Sequence, residues 1–106
     1  MAERATVTEI TVTVRYFAAA RAAAGAAEES LTLSTVPPVR DARDDHGPDA
    51  ATVGAVIEAA IGRHSAALAT VLRRCSFLLD EVAVHGTDTR VRAGQVLDVL
   101  PPFAGG

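Results

Sequence analysis

Residues 95–106 read Gln95-Val96-Leu97-Asp98-Val99-Leu100-Pro101-Pro102-Phe103-Ala104-Gly105-Gly106, and the fold turns on the first half of that stretch. Gln95 to Leu100 is a mostly apolar run of strand-forming residues. It reads as a strand buried on both faces, which a parallel partner would explain. The run stops at a proline pair. Proline offers no N–H to a ladder and fixes its own φ, and the residue before each proline is pushed towards extended backbone. Pro101-Pro102 should therefore send the chain stiffly off the sheet.

The prolines open a short arm over residues 101–106. Phe103 is one of only four aromatic residues in the chain, and it stands where a terminus is usually frayed and polar. Gly105 and Gly106 have no Cβ, so they can thread a narrow channel with φ of either sign. The α-carboxylate at the tip is a group that an enzyme can reach from all sides. Two terminal glycines alone mean little. The order strand, Pro-Pro, aromatic, Ala, Gly-Gly is far more specific, and it reads as an extended tail built to enter another protein's active site.

Working outward, Glu9 to Phe17 alternates, with Ile10, Val12, Val14 and Tyr16 on one side and Glu9, Thr11, Thr13 and Arg15 on the other. That is a half-buried strand after a leader over residues 1–8. Ala18 to Ala24 is a high-propensity helical turn, and Gly25 is placed to end it. Glu29 to Thr35 alternates again around Leu31 and Leu33, so an antiparallel pair is expected. Residues 36–50 hold three prolines and a mixed charge run, and read as a flexible, solvated insertion. His46 among Asp44, Asp45 and Asp49 has no helical or strand frame to make it a metal site.

Thr52 offers an N-cap, and Val53, Val56, Ile57, Ala60 and Ile61 follow helical spacing up to Gly62, which is expected to end that helix. Ser65 caps a further turn or two, with Leu68, Val71, Leu72 and Cys75 on one side. Cys75 then packs as a small hydrophobe and not as a nucleophile, and His64 is expected to be solvated. Ser76–Leu79 and Val82–His85 read as short strands around Asp80-Glu81, a poor turn because neither residue readily takes positive φ. Val91 is an isolated apolar plug. The plan is α+β: a mixed sheet of about four to five strands, crossed by one main helix, with the first and last strands paired centrally. This is the β-grasp (ubiquitin-like) topology, with the domain over residues 9–100.

The totals agree. A chain of 106 residues, 49% hydrophobic and 22% charged, suits a single domain with a core of Val, Leu, Ile and Ala. A net charge of -3 argues against nucleic-acid binding. No apolar run reaches membrane-spanning length, no signal-peptide plan opens the chain, and the single Cys75 excludes an internal disulfide, so a cytoplasmic protein is expected. All ten basic residues are arginine, and lysine is absent. A lysine-free chain has no side-chain amine to capture an activated carboxyl, although codon bias towards Arg and Ala explains the composition more simply. His46, His64 and His85 share no frame, and no paired-carboxylate or nucleophile–base constellation stands out.

The stretch Val12-Thr13-Val14-Arg15-Tyr16-Phe17-Ala18-Ala19-Ala20-Arg21, the Thr52-Val53 helix start and the ending Leu100-Pro101-Pro102-Phe103-Ala104-Gly105-Gly106 resemble the MoaD family. These are ubiquitin-like small subunits of molybdopterin synthase. The resemblance implies a non-catalytic sulfur carrier with no permanently bound cofactor or metal. In that family an E1-like enzyme uses ATP to adenylate the terminal glycine, and sulfur then replaces the adenylate as a thiocarboxylate. A MoaE-like large subunit takes the tail into its own active site. By that resemblance Gly106 carries the sulfur, Gly105 gives clearance, and Ala104, Phe103, Pro102 and Pro101 line the docking channel. Three departures stand out: Asp80-Glu81 where an Asn-containing turn is usual, Gln95 in place of an acid, and the long 36–50 insertion. A carrier for thiamine or cysteine biosynthesis, or a β-grasp binding module with an inert terminus, are the alternatives.

Overall fold

The computed structural model of the chain describes residues 8–35 and 50–102. The elements run β1 (Thr8–Tyr16), α1 (Ala18–Ala24), β2 (Glu28–Thr35), β3 (Ala50–Thr52), α2 (Val53–Arg63), α3 (Ala66–Leu72), β4 (Ser76–Leu79), β5 (Val82–Ala83), β6 (Arg90–Arg92) and β7 (Val96–Leu100). The main sheet has five strands in the order β2-β1-β7-β4-β5. β1 and β7 are parallel and central, with Thr13 opposite Val96 and Tyr16 opposite Val99. β2 and β4 flank them as antiparallel neighbours. The apolar last strand therefore has the parallel partner that its composition called for.

The alternation of β1 sets the layers. Ile10, Val12, Val14 and Tyr16 are all at most 2% exposed and meet Leu31, Leu33, Leu97 and Val99 on one face. The stripe of Val53, Val56 and Ala60 on α2, with Leu68 and Leu72 on α3, closes the core from above. Each Val and Leu of that stripe gains about 1.5–3 kcal/mol by leaving water, and Leu68→Ala, at a fully buried site, would cost about 2–5 kcal/mol. The other face carries Thr11, Thr13 and Arg15 and has no helix over it.

Caps follow the sequence closely. Thr52 accepts a hydrogen bond from the Ala55 N–H and Ser65 accepts one from the Ala67 N–H, so each satisfies an orphan donor of its helix. Gly25 ends α1 at φ 77° with its N–H on the Arg21 carbonyl.

Several details differ from expectation. Gly62 does not end α2; the helix runs through it to Arg63, and the His64 N–H closes on the Ile61 carbonyl. The flanking Ile61 and Arg63 hold the backbone helical, and the left-handed φ of a glycine cap is not used. Ala50, assigned to the insertion, begins β3. Val91 is no isolated plug but the buried centre of β6, which pairs with β3 in a separate two-stranded ribbon. Strands of three residues leave too little periodicity to see. β5 covers only Val82–Ala83. The leader at residues 1–7, the insertion at 36–49 with its His46 and the aspartates beside it, and the tail from Phe103 lie outside the described residues.

Candidate functional site

The last strand delivers the chain to the centre of the sheet before the prolines release it. β7 bonds to β1 on one side and β4 on the other, so the root of the arm is fixed by two ladders. Pro101 is half-buried and Pro102 exposed, both outside any regular element. Phe103, Ala104, Gly105 and Gly106 lie beyond the described residues.

Two residues of the stretch that carries the family resemblance, given no role at the tail by the sequence, frame that root. Phe17 follows β1, donates its N–H to the Val99 carbonyl at 3.2 Å, and leaves its ring 39% exposed. Its Arg15 neighbour, on the helix-free face, has its guanidinium carbon 6.0 Å from the Phe17 ring centroid. Arg15 also forks onto Asp98, with Nε donating to Oδ1 at 2.6 Å and Nη2 to Oδ2 at 2.9 Å. Asp98 is 5% exposed, the one buried charged residue among those described. The sequence signal for it was a lone acid inside an apolar strand. The fork is what makes burying that charge tolerable. A shallow depression of about 250 Å³ opens here, lined by Arg15, Asp80, Glu81, Val96 and Asp98.

The β4–β5 turn shapes one wall of that depression. Asp80 and Glu81 both take positive φ, 48° and 71°, the backbone that a tight two-residue hairpin demands. The turn forms because Asp80 is held in place: Oδ1 accepts from the Val96 N–H at 2.9 Å and Oδ2 from Gln95 Nε2 at 3.0 Å. Those bonds, the Val96 one foremost, hold its carboxyl below the usual range. Gln95, which stands in place of the family's acid, is thus part of the turn's support. Its Oε1 accepts from the Arg92 N–H at 2.7 Å, which joins β6, β7 and the turn.

A second polar group lies on the helix side. Glu29 Oε2 accepts from the Tyr16 hydroxyl at 2.5 Å and meets His64 Nε2 at 2.7 Å, and Oε1 accepts from Arg63 Nε at 3.3 Å. His64, expected to be solvated, is instead 17% exposed and stands edge-on to the Tyr16 ring. Burial pulls the Glu29 carboxyl upward, but the hydrogen bonds from Tyr16 and His64, with the charges of His64 and Arg63, outweigh it and leave it below its ordinary value. Burial, then the bond to Glu29, pushes the Tyr16 hydroxyl far above its ordinary range. The group ties the α2–α3 joint to β2. Cys75 is half-buried against the core as expected, its thiol donating to the Val71 carbonyl at 3.3 Å and pushed up by burial. Among the described residues no cluster of three or more His, Cys, Asp and Glu is arranged to hold a metal ion, and no helix is long and apolar enough to cross a membrane.

Residues 14–106 match the family model of the ThiS family. No curated protein matches the chain. Among solved structures it is similar to SAMP1 from Haloferax volcanii, with 24% identity over 91% of this chain and 99% of that one and a TM-score of 0.65. It is similar also to a putative molybdopterin converting factor subunit 1 from Pyrococcus furiosus, with 24% identity, 89% and 99% coverage and a TM-score of 0.61. A third similarity is to the complex of subunits 1 and 2 of the molybdopterin-converting factor from Helicobacter pylori, with 21% identity, 92% and 100% coverage and a TM-score of 0.50. Identities at this level speak to the fold, and the shared fold is the β-grasp that the strand order describes.

Proposed function

Because the chain belongs to the ThiS family of ubiquitin-fold sulfur carriers, we propose that it is the small subunit of a molybdopterin synthase and delivers sulfur as a thiocarboxylate on Gly106. The observation that carries this reading is the placement of the tail's root. The central strand ends in two prolines beside the partly exposed Phe17, which suits a tail that leaves the sheet. The physical logic is simple. A carboxylate is a poor electrophile, so an E1-like partner first makes it an acyl adenylate with ATP. Sulfur then displaces AMP, and the resulting thiocarboxylate keeps the nucleophile from diffusing away. A MoaE-like large subunit would supply the acids and bases; the similar protein from Helicobacter pylori was solved with its subunit 2.

Intact-mass measurement after incubation with an E1-like activator, ATP and a sulfur donor tests the proposal. Exchange of one oxygen for sulfur is expected, and deletion of Gly106 should abolish it while leaving the melting temperature unchanged. Consumption of no ATP, with an unaltered mass, would overturn the reading. Phe103→Ala is expected to weaken docking to the large subunit. The family match also favours a second pathway reading, the same carrier chemistry serving thiamine or cysteine biosynthesis. Capture with a MoaE-like subunit, a thiazole synthase or a cysteine synthase distinguishes them.

A further inference from the structure

The 106 residues contain ten arginines and no lysine. A guanidinium remains protonated across the pH range of a folded protein and accepts no acyl group, whereas a lysine amine does so once deprotonated. No side chain of this sequence therefore carries a basic amine. A thiolate or a phenolate could also capture an activated carboxyl, and the fold disarms both. Cys75 is half-buried with its thiol donating to the Val71 carbonyl, and burial pushes that thiol up. Tyr16 is 1% exposed and its hydroxyl is committed to Glu29.

We infer that towards amines this chain is an acyl donor only: once activated at Gly106 it can be joined to another protein's amine or to the α-amine of a second copy, but to no side-chain amine of its own kind. The inference rests on the carrier reading in that Gly106 must be activated. In the step concerned, an amine nitrogen attacks the acyl carbon and a C–N bond forms. The C–O bond to adenylate breaks, AMP leaves with the electron pair, and the nitrogen's proton passes to solvent. With no such acceptor on its own surface, the activated terminus waits for an outside nucleophile, and branched chains of carriers are closed to it. Whatever caused the arginine bias, this chemical consequence is the same.

The test uses the full chain made by intein cleavage as a Gly106 thioester, with its α-amine acetylated, so that no activating enzyme is needed. Incubated at about pH 9, where a lysine amine is partly free, it should give no amide-linked carrier–carrier adduct by intact mass or denaturing gel. Arg21→Lys and Arg73→Lys, at exposed positions where lysine is as good a helix former, should restore adducts one carrier mass heavier. Their yield should exceed the acetylated parent's by about tenfold or more. Amide-linked adducts in the acetylated parent would overturn the inference, and so would their absence in both lysine variants. A chain that supports no ATP–pyrophosphate exchange with the E1-like enzyme would instead defeat the carrier reading and leave the thioester result standing.

Discussion

Arg15 and Asp98 face each other across the parallel β1–β7 ladder, and the forked pair leaves the carboxylate 7% exposed while the arginine side chain remains 40% exposed. The two partners are therefore unequal. Arg15→Ala strands a buried charge and should cost the more. Asp98→Ala leaves a guanidinium that can turn to water and should cost less. Urea midpoints of the two variants decide the matter; equal losses would show that Asp98 is solvated in solution.

Phe17 donates its N–H to the Val99 carbonyl and carries Arg15 over its ring. Phe17→Ala should cost about 1–2 kcal/mol of stability for the part of the ring out of water, and weaken binding to the protein that receives the tail by about tenfold or more. Calorimetric titration against a MoaE-like subunit measures this. Unchanged affinity would assign the exposed ring no role.

Glu29 makes stability depend on pH with a definite sign. Its carboxyl is lowered in the folded state, so its contribution is complete above the ordinary value of 4.5 and drains away as pH falls through the lowered value. Glu29→Gln should cost about 1–3 kcal/mol near neutrality. The gap to the parent should close as the pH is taken below 4.5. Melting curves across that range would show it, and a gap independent of pH would rule out the carboxylate as its source.

Glu81 holds φ at 71°, where an L-residue is strained. Glu81→Gly relieves about 1 kcal/mol of that strain and should raise the melting temperature by about 4–8 °C. Asp80→Ala should lower it, because the Val96 N–H and Gln95 both lose their acceptor.

Much of this molecule was legible in its residues. The alternation of Ile10, Val12, Val14 and Tyr16 gave the inner face of the sheet, Thr52 and Ser65 gave two helix starts, and Gly25 gave a helix end, because each is a local signal with a local cause. The ribbon of β3 and β6 was not, since three-residue strands show no period and their pairing spans the chain. His64 was misjudged for a similar reason: its partners, Glu29 and Tyr16, are remote in sequence and arrive only through tertiary contact. The Asp80-Glu81 turn ran against intrinsic preference, and distant donors on Gln95 and Val96 decided it. At the candidate site the end of the last strand at Leu100 was legible, whereas the exposure of Phe17 and the burial of Asp98 depend on which strands become neighbours.

The parallel arrangement of β1 and β7 has a mechanical corollary. A pull on the tail while β1 is held acts along the strands and loads their rungs side by side in shear, so several must rupture together. A machine that draws in the last residues would thus tug against the stiffest direction of the molecule, and could haul the arm taut without unravelling the body behind it.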